Sequence, residues 1–222
     1  MGDRGNSPNT RVRWLGRVSY EDALTLQQEL VNRRAKNIEP DHLLLLEHPP
    51  VYTMGRSSRL EEVPNDGTPV IQASRGGKIT WHGPGQLVGY WIRKLEPGAR
   101  DLHAHLRLIE DRLIEVLGNF GLKGERRPGW TGVWCHGKKV ASIGVAVRSW
   151  VTYHGWALNV DVDRRGFESV RPCGLSPAVM TDLRSLLGGQ RTSVATVAHA
   201  AARAFAGEGT AKLPCELPLP TQ

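Results

Sequence analysis

The sequence predicts an α/β or α+β fold in which helices pack on a central sheet. Three observations carry that expectation. A few long segments repeat apolar residues at three- and four-residue steps, as amphipathic helices do. Between them lie short apolar runs, several apolar at consecutive positions, which suits strands covered on both faces. The chain also has 222 residues, one sizeable domain or at most two small ones at roughly 150 residues each. Such a chain buries about 70% of its unfolded surface and needs no disulfide or metal staple. With 40% hydrophobic and 23% charged residues, a disordered or fibrous chain is excluded.

The elements follow in order. Residues 1–12 are expected to be a flexible N-terminal segment: Met1 to Thr10 is polar and lacks the apolar stretch of a signal peptide. Position 6 is Asn, so the myristoylation pattern fails at Gly2. A helix is expected from about Tyr20 to Asn37, capped by Ser19 with Asp22 at its third position. Its apolar face is Tyr20, Ala23, Leu24, Leu30 and Val31. A second helix is expected from Leu102 to Phe120 behind Asp101, with Leu106, Ile109, Leu113, Val116 and Leu117 on one face. A third runs from Val194 to Ala206, capped by Thr192 or Ser193 and stopped by Gly207. Strand candidates are His42–Glu47, Gln86–Ile92, Val140–Val147 and Gly155–Val160. Residues 13–206 thus read as a single domain. Residues 207–222 read as a tail, where Pro214, Pro218 and Pro220 forbid a regular helix. The longest aliphatic run, Leu43–Leu46, falls far short of the ~20 residues that span a bilayer, so a cytoplasmic protein without membrane contact is expected.

The segment from Arg75 to Gln86 stands out. Four glycines and Pro84 describe backbone that turns tightly and admits close approach. Arg75, Lys78, His82 and Gln86 supply hydrogen-bonding groups around it. A surface hairpin is the plain alternative, and neither GxxxxGK[ST] nor GxGxxG is present. Cys173 lies between Pro172 and Gly174, on a rigid turn that suits a nucleophile, although a free cysteine is commonly a small buried hydrophobe. Cys135 precedes a strand and reads as structural, and Cys215 in the tail as incidental. No CxxC pair exists, so neither a disulfide framework nor a zinc ribbon is written here. Lys138 and Lys139 open a strand, and only one of two adjacent residues can face a given site. A lysine beside a thiol would stabilise the thiolate. Asn159, inside an apolar run, needs partners if buried.

Four segments in order, RGGKITWHGPGQLVGY, GVWCHGKKVASIGVAV, WVTYHGWALNV and RPCGL, resemble the lipoyl(octanoyl) transferases over about residues 40–185. Glu47 to Gly55 fits that family's opening strand and loop. The resemblance implies a mixed central sheet with packed helices, like the catalytic domain of biotin and lipoate protein ligases. It implies transfer of an octanoyl group from an acyl carrier protein to a lysine of lipoyl domains, those of 2-oxoacid dehydrogenases and the glycine cleavage H protein. It implies Cys173 as the nucleophile that carries the octanoyl thioester and Lys139 as its dyad partner. Substrate-binding positions implied are Arg75, Gly76, Gly77, Lys78, Ile79, Thr80, Trp81 and His82, then Ser142, Ile143 and Gly144, then Gly155, Trp156 and Ala157. Trp81, Ile143, Trp156 and Leu175 are suitable as an apolar wall. No cofactor or metal is expected. The chain departs from the family pattern at Trp81, usually Tyr, and at Asp182, usually Ser.

The nearest rival is an ATP-dependent lipoate or biotin ligase, which would need a phosphate-cradling glycine loop and no nucleophilic cysteine. The +7 net charge alone motivates a nucleic-acid module, but aromatics are only 6% and the tryptophans fall mainly inside the motif strands. A papain-like hydrolase would need a Cys–His order that the spacing does not offer. The charge is read instead as a docking surface for two acidic protein partners in turn.

Overall fold

The computed structural model describes residues 10–170 and 176–207. In chain order the elements are β1 (Arg11–Arg17), α1 (Tyr20–Ala35), β2 (His42–Glu47), β3 (Val51–Met54), β4 (Val70–Gln72), β5 (Thr80–His82) and β6 (Gln86–Ile92). Then come α2 (Leu102–Gly118), β7 (Glu125–Arg127), β8 (Trp130–Cys135), β9 (Lys138–Arg148), β10 (Val151–Asn159), α3 (Arg165–Glu168), α4 (Leu183–Leu186) and α5 (Val194–Ala206). Seven strands form one sheet in the order β1-β2-β6-β10-β9-β8-β7. Only β1 and β2 run parallel and every other neighbouring pair is antiparallel, so the sheet is mixed. A small sheet, β4-β3-β5, stands beside it.

Strand alternation divides the core. Leu43 and Leu45 of β2 join Leu87 and Trp91 of β6 under α2 and α5. Leu44 and Leu46 join Val88, Tyr90 and Ile92 under α1, with Val51 and Ala73 of the small-sheet side. Both faces are covered, which is why β2 and β6 carry apolar residues at consecutive positions. A third cluster around Trp81, Phe167, Val170 and Met180 fills the junction with the small sheet.

The three long helices begin where their caps place them. Ser19 Oγ accepts from Asp22 N at 3.1 Å and donates to the Asp22 carboxylate at 2.6 Å. Asp101 and Ser193 cap α2 and α5 through Ala104 N and Thr196 N. Gly207 ends α5 at a positive φ of 86°. β2 and β6 fall where the apolar runs put them, and β9 and β10 are longer than expected. Strand β1 takes in Arg11 and Val12, assigned above to the flexible segment. Its alternating exposure at a sheet edge carries little apolar signal. Residues 208–222, with Cys215, lie outside the described residues. Among the described residues no helix is long and apolar enough to cross a membrane.

Candidate active site

A cavity lies on the α1 face of the sheet, with about 410 Å³ of empty space when the open solvent at its mouth is included. Its floor comes from three neighbouring strands. Ser142 and Gly144 of β9 pair with Ala157 and Gly155 of β10, which pair in turn with Val88 and Tyr90 of β6. Four adjacent floor positions therefore carry at most two side-chain heavy atoms each, and this thin floor opens the space. Tyr20 at the start of α1 and Arg75, Thr80 and His82 from the small-sheet side complete the wall.

Ile143 and Trp156 border the cavity too, but their side chains alternate to the other face. The Trp156 ring stacks on Phe205 of α5 at 5.2 Å and Ile143 packs against the same core. Trp81 is buried between Gly83 and Gly166 and meets Phe167 edge-on at 5.3 Å. Ile79 is buried in the same third cluster. Lys78 reaches Glu62 at 3.5 Å. Gly76 donates its N–H to Val145 O, and the Gly77 carbonyl accepts from Ser57 N. These five residues shape the loop that carries Arg75 and His82 and do not line the cavity. Leu175 lies outside the described residues.

The polar groups around the cavity form a directed chain. Asn159 Nδ2 donates to Thr181 O at 2.8 Å, and Gln86 Nε2 donates to Asn159 Oδ1 at 2.9 Å. Gln86 Oε1 is left to accept from His82 Nδ1–H at 2.6 Å. His82 Nε2 then accepts from the Thr53 hydroxyl at 3.3 Å, and Thr53 Oγ1 accepts from Arg75 Nη2 at 2.7 Å. Each amide orientation and the histidine tautomer follow from the neighbour before it. Burial, then the nearby His48 ring, pushes His82 down to about 3, so the ring is neutral as the chain requires. Asn159, buried as it is, has both partners that the sequence demanded.

A second set of rings backs the first. His48 Nδ1 donates to Val18 O at 2.7 Å, so its Nε2 accepts from the Tyr90 hydroxyl at 2.7 Å. His154 sits between Ser74 Oγ and the Tyr20 hydroxyl, at 3.1 and 3.4 Å. Burial lowers His48 to about 4 and, with Arg75 adding to it, His154 to about 3. It raises Tyr20 to about 12 and also raises Tyr90 well above the ordinary tyrosine value. Every one of these rings is neutral near pH 7.

Lys138 is exposed and Lys139 is 1% exposed, so the adjacent pair divides as alternation demands. Lys139 Nζ donates to Thr131 O at 2.9 Å and lies 5.9 Å from the centre of the Trp134 ring. Its main-chain carbonyl accepts from Thr181 N at 2.9 Å. Lys139 does not line the cavity, but it stands three residues before Ser142 on the same strand. The Asn159–Thr181 bond joins its backbone to the histidine chain. Cys173 lies outside the described residues; of the described residues that flank it in sequence, Val170 belongs to the third cluster and Met180 bridges to Lys139. Cys135 is fully buried, and burial raises its thiol, the structural role expected of it.

An apolar-floored cavity and a buried lysine thus share strand β9. Residues 19–206 match the model of the lipoyl protein ligase A/B catalytic domain. An octanoyltransferase of Geobacter metallireducens is 49% identical over 177 residues, covering 80% of this chain and 83% of that protein. The octanoyltransferase of Mycobacterium tuberculosis (strain H37Rv) is 50% identical over 181 residues, 80% of this chain and 77% of the other. The chain belongs to the octanoyltransferase family. It is an acyltransferase.

Among solved structures, lipoate-protein ligase A bound with ATP superposes with a TM-score of 0.71 at 16% identity, over 89% of this chain and 84% of that one. Biotin protein ligase from Aquifex aeolicus gives 0.55 at 15%, over 88% and 68%. At that identity the ligases share the fold alone, the mixed sheet expected from the resemblance. Tyr20, Val88 and Tyr90 are cavity residues of this acyltransferase that the sequence reading missed. Tyr90 closes the first motif and alternates with Val88, the signal that could have found both. Tyr20 shows only as the first residue of a helix's apolar face.

Proposed function

We propose that the chain transfers an octanoyl group from an acyl carrier protein to a lysine of lipoyl domains, through a thioester on Cys173. The observation that carries this reading is the near-half identity to octanoyltransferases over four-fifths of the chain. The cavity supports it, being floored by Ser142, Gly144, Gly155 and Ala157, with Arg75, Thr80 and His82 on its wall and the main chain of Ile143 and Trp156 at its border. We assign it to the acyl chain. Gly76, Gly77, Lys78, Ile79 and Trp81 contribute by holding Arg75 and His82 in place. Residues 13–206 act as one catalytic domain.

The chemistry closes on two residues. Cys173 thiolate attacks the carrier thioester, and the expelled phosphopantetheine thiolate takes a proton from the Lys139 ammonium. The acceptor lysine amine then attacks the enzyme thioester and gives its proton to the now neutral Lys139, while Cys173 leaves as thiolate. The pair returns to its starting state. Thioester exchange is nearly isoenergetic and amide formation is downhill, so no nucleotide or other cofactor enters. The reaction belongs in the cytoplasm, where lipoyl domains of 2-oxoacid dehydrogenases and the glycine cleavage H protein serve as acceptors.

Intact-mass spectrometry after incubation with octanoyl carrier protein tests the reading. One octanoyl adduct at Cys173 is expected without ATP, with none on Cys173→Ala. Full transfer by the Cys173→Ala enzyme, or a requirement for ATP, would overturn it.

A further inference from the structure

We infer that Glu110 is a positioning residue that aims Lys139 through a single peptide group. The inference rests on the proposed role of Lys139 and goes beyond it. Glu110 is 7% exposed on the inner side of α2. Its Oε1 accepts from Gly132 N at 3.0 Å, and its Oε2 accepts from Arg126 Nε at 3.0 Å. The carbonyl of the same peptide group, Thr131 O, is the acceptor for Lys139 Nζ at 2.9 Å. The peptide is planar, so holding its N–H fixes where its carbonyl points. A carboxylate on the N–H also polarises the group and strengthens the carbonyl as an acceptor for the ammonium.

The peptide needs this hold. Gly132 has φ +132°, a conformation that side chains rarely adopt, and a Cβ there would lie 2.7 Å from Lys139 Cε and 2.5 Å from Ala141 O. The lysine stem therefore runs across a bare glycine, and glycine gives the 131–132 peptide freedom to rotate. Glu110 removes that freedom. Arg126 fastens the other carboxylate oxygen, and its Nη2 donates to Arg107 O at 3.2 Å and to the Asp111 carboxylate. That tie joins the β7–β8 hairpin to α2 without touching the 131–132 peptide, so the two jobs of Glu110 are separable by substitution.

The test measures alkylation of Cys173 by iodoacetamide, resolved by peptide mass in a Cys215→Ser background, together with kcat and KM for octanoyl carrier protein. Glu110→Ala is expected to lower the alkylation rate and kcat about tenfold, one positioning hydrogen bond's worth, with KM unchanged within about twofold. Glu110→Gln keeps an acceptor for Gly132 N–H and is expected to recover most of the loss. Arg126→Ala breaks only the outer tie and is expected to stay within about threefold of the parent. In a Lys139→Ala background, Glu110→Ala should have no further effect on alkylation. An equal effect with and without Lys139 would overturn the inference and leave the Cys173–Lys139 reading standing. If Lys139→Ala alkylates at the parent rate, that reading falls, and the inference with it.

Discussion

His105 offers a direct test of how burial sets the acid limit of the fold. It sits on the core side of α2 with both ring nitrogens buried and without a hydrogen-bond partner. Its ring lies 5.4 Å from that of Trp91. Burial, with Arg93 nearby, pushes it to about 3. In the unfolded chain it would titrate near 6.5. Between those values the unfolded state binds a proton that the folded state refuses, so stability is complete above about pH 6.5 and is lost as pH falls toward 3. At pH 5 one such histidine costs about 2 kcal/mol relative to pH 8. His48, His82 and His154 behave alike, and the four together cost about 8 kcal/mol, which is most of a typical domain's stability. The perturbation is His105→Phe, which keeps the apolar contact with Trp91 and removes one titrating group. Urea unfolding at pH 8, 6 and 5 gives the slope. The variant should lose about 2 kcal/mol less than the parent between pH 8 and pH 5. It should also be no less stable at pH 8, because two unpartnered buried nitrogens are gone. Turnover should be unchanged, since Trp91 and His105 face away from the cavity. Equal losses in parent and variant would refute the reasoning.

Other outcomes follow from the same packing. Gly144→Val puts a Cβ 3.0 Å from Arg75 Cδ and 3.3 Å from Gly76 O, filling the cavity floor. Transfer from octanoyl carrier protein should fall at least about tenfold while shorter acyl donors lose less, as comparison of kcat/KM across donor lengths will show. Asn159→Asp still accepts from Gln86 but cannot donate to Thr181 O. A loss of about 1–3 kcal/mol in urea unfolding at pH 8 is expected, with lower turnover because Thr181 anchors the main chain of Lys139. Cys135→Ala empties a small, fully buried site in the core under α2. It should lower the unfolding midpoint while octanoyl adduct formation stays near the parent level.

What the sequence could disclose depends on how local the signal is. The caps Ser19, Asp101 and Ser193 each bond a residue three positions on, so three helix starts are legible without knowing the fold. β2 and β6 are legible because both of their faces are buried. β1, β3 and β7 have no such signature: β1 is half exposed at an edge, β3 has four residues, and the three residues of β7 are all exposed. They exist because a neighbour supplies the hydrogen bonds. The buried polar residues behave similarly. Gln27 and Glu110 look like solvated helix positions by charge pattern alone. Each is buried because it answers one main-chain N–H on a strand, His154 N in one case and Gly132 N in the other.

The cavity shows where motif reading and structure part company. In Ser142-Ile143-Gly144 and Gly155-Trp156-Ala157 the eye goes to the tryptophan and the isoleucine as an acyl-pocket wall. The register pairs Trp156 with Ile143, and Phe205 covers that pair's face of the sheet. Trp156 also occupies the space over Gly89, where a Cβ would come within 2.2 Å of its ring. The large residues thus pack the far side, and the small ones between them leave a hollow on the near side. Side chains in a strand alternate, so one three-residue motif can specify both a filled core and an empty floor. Enlarging Ser142 or Ala157 should therefore reduce acyl transfer and spare the fold, while truncating Trp156 should cost about 3–5 kcal/mol of stability and act on transfer only through the sheet. If Trp156→Ala left the unfolding free energy unchanged and instead broadened the range of acyl lengths accepted, the ring would belong to the cavity and this division of the strand would be wrong.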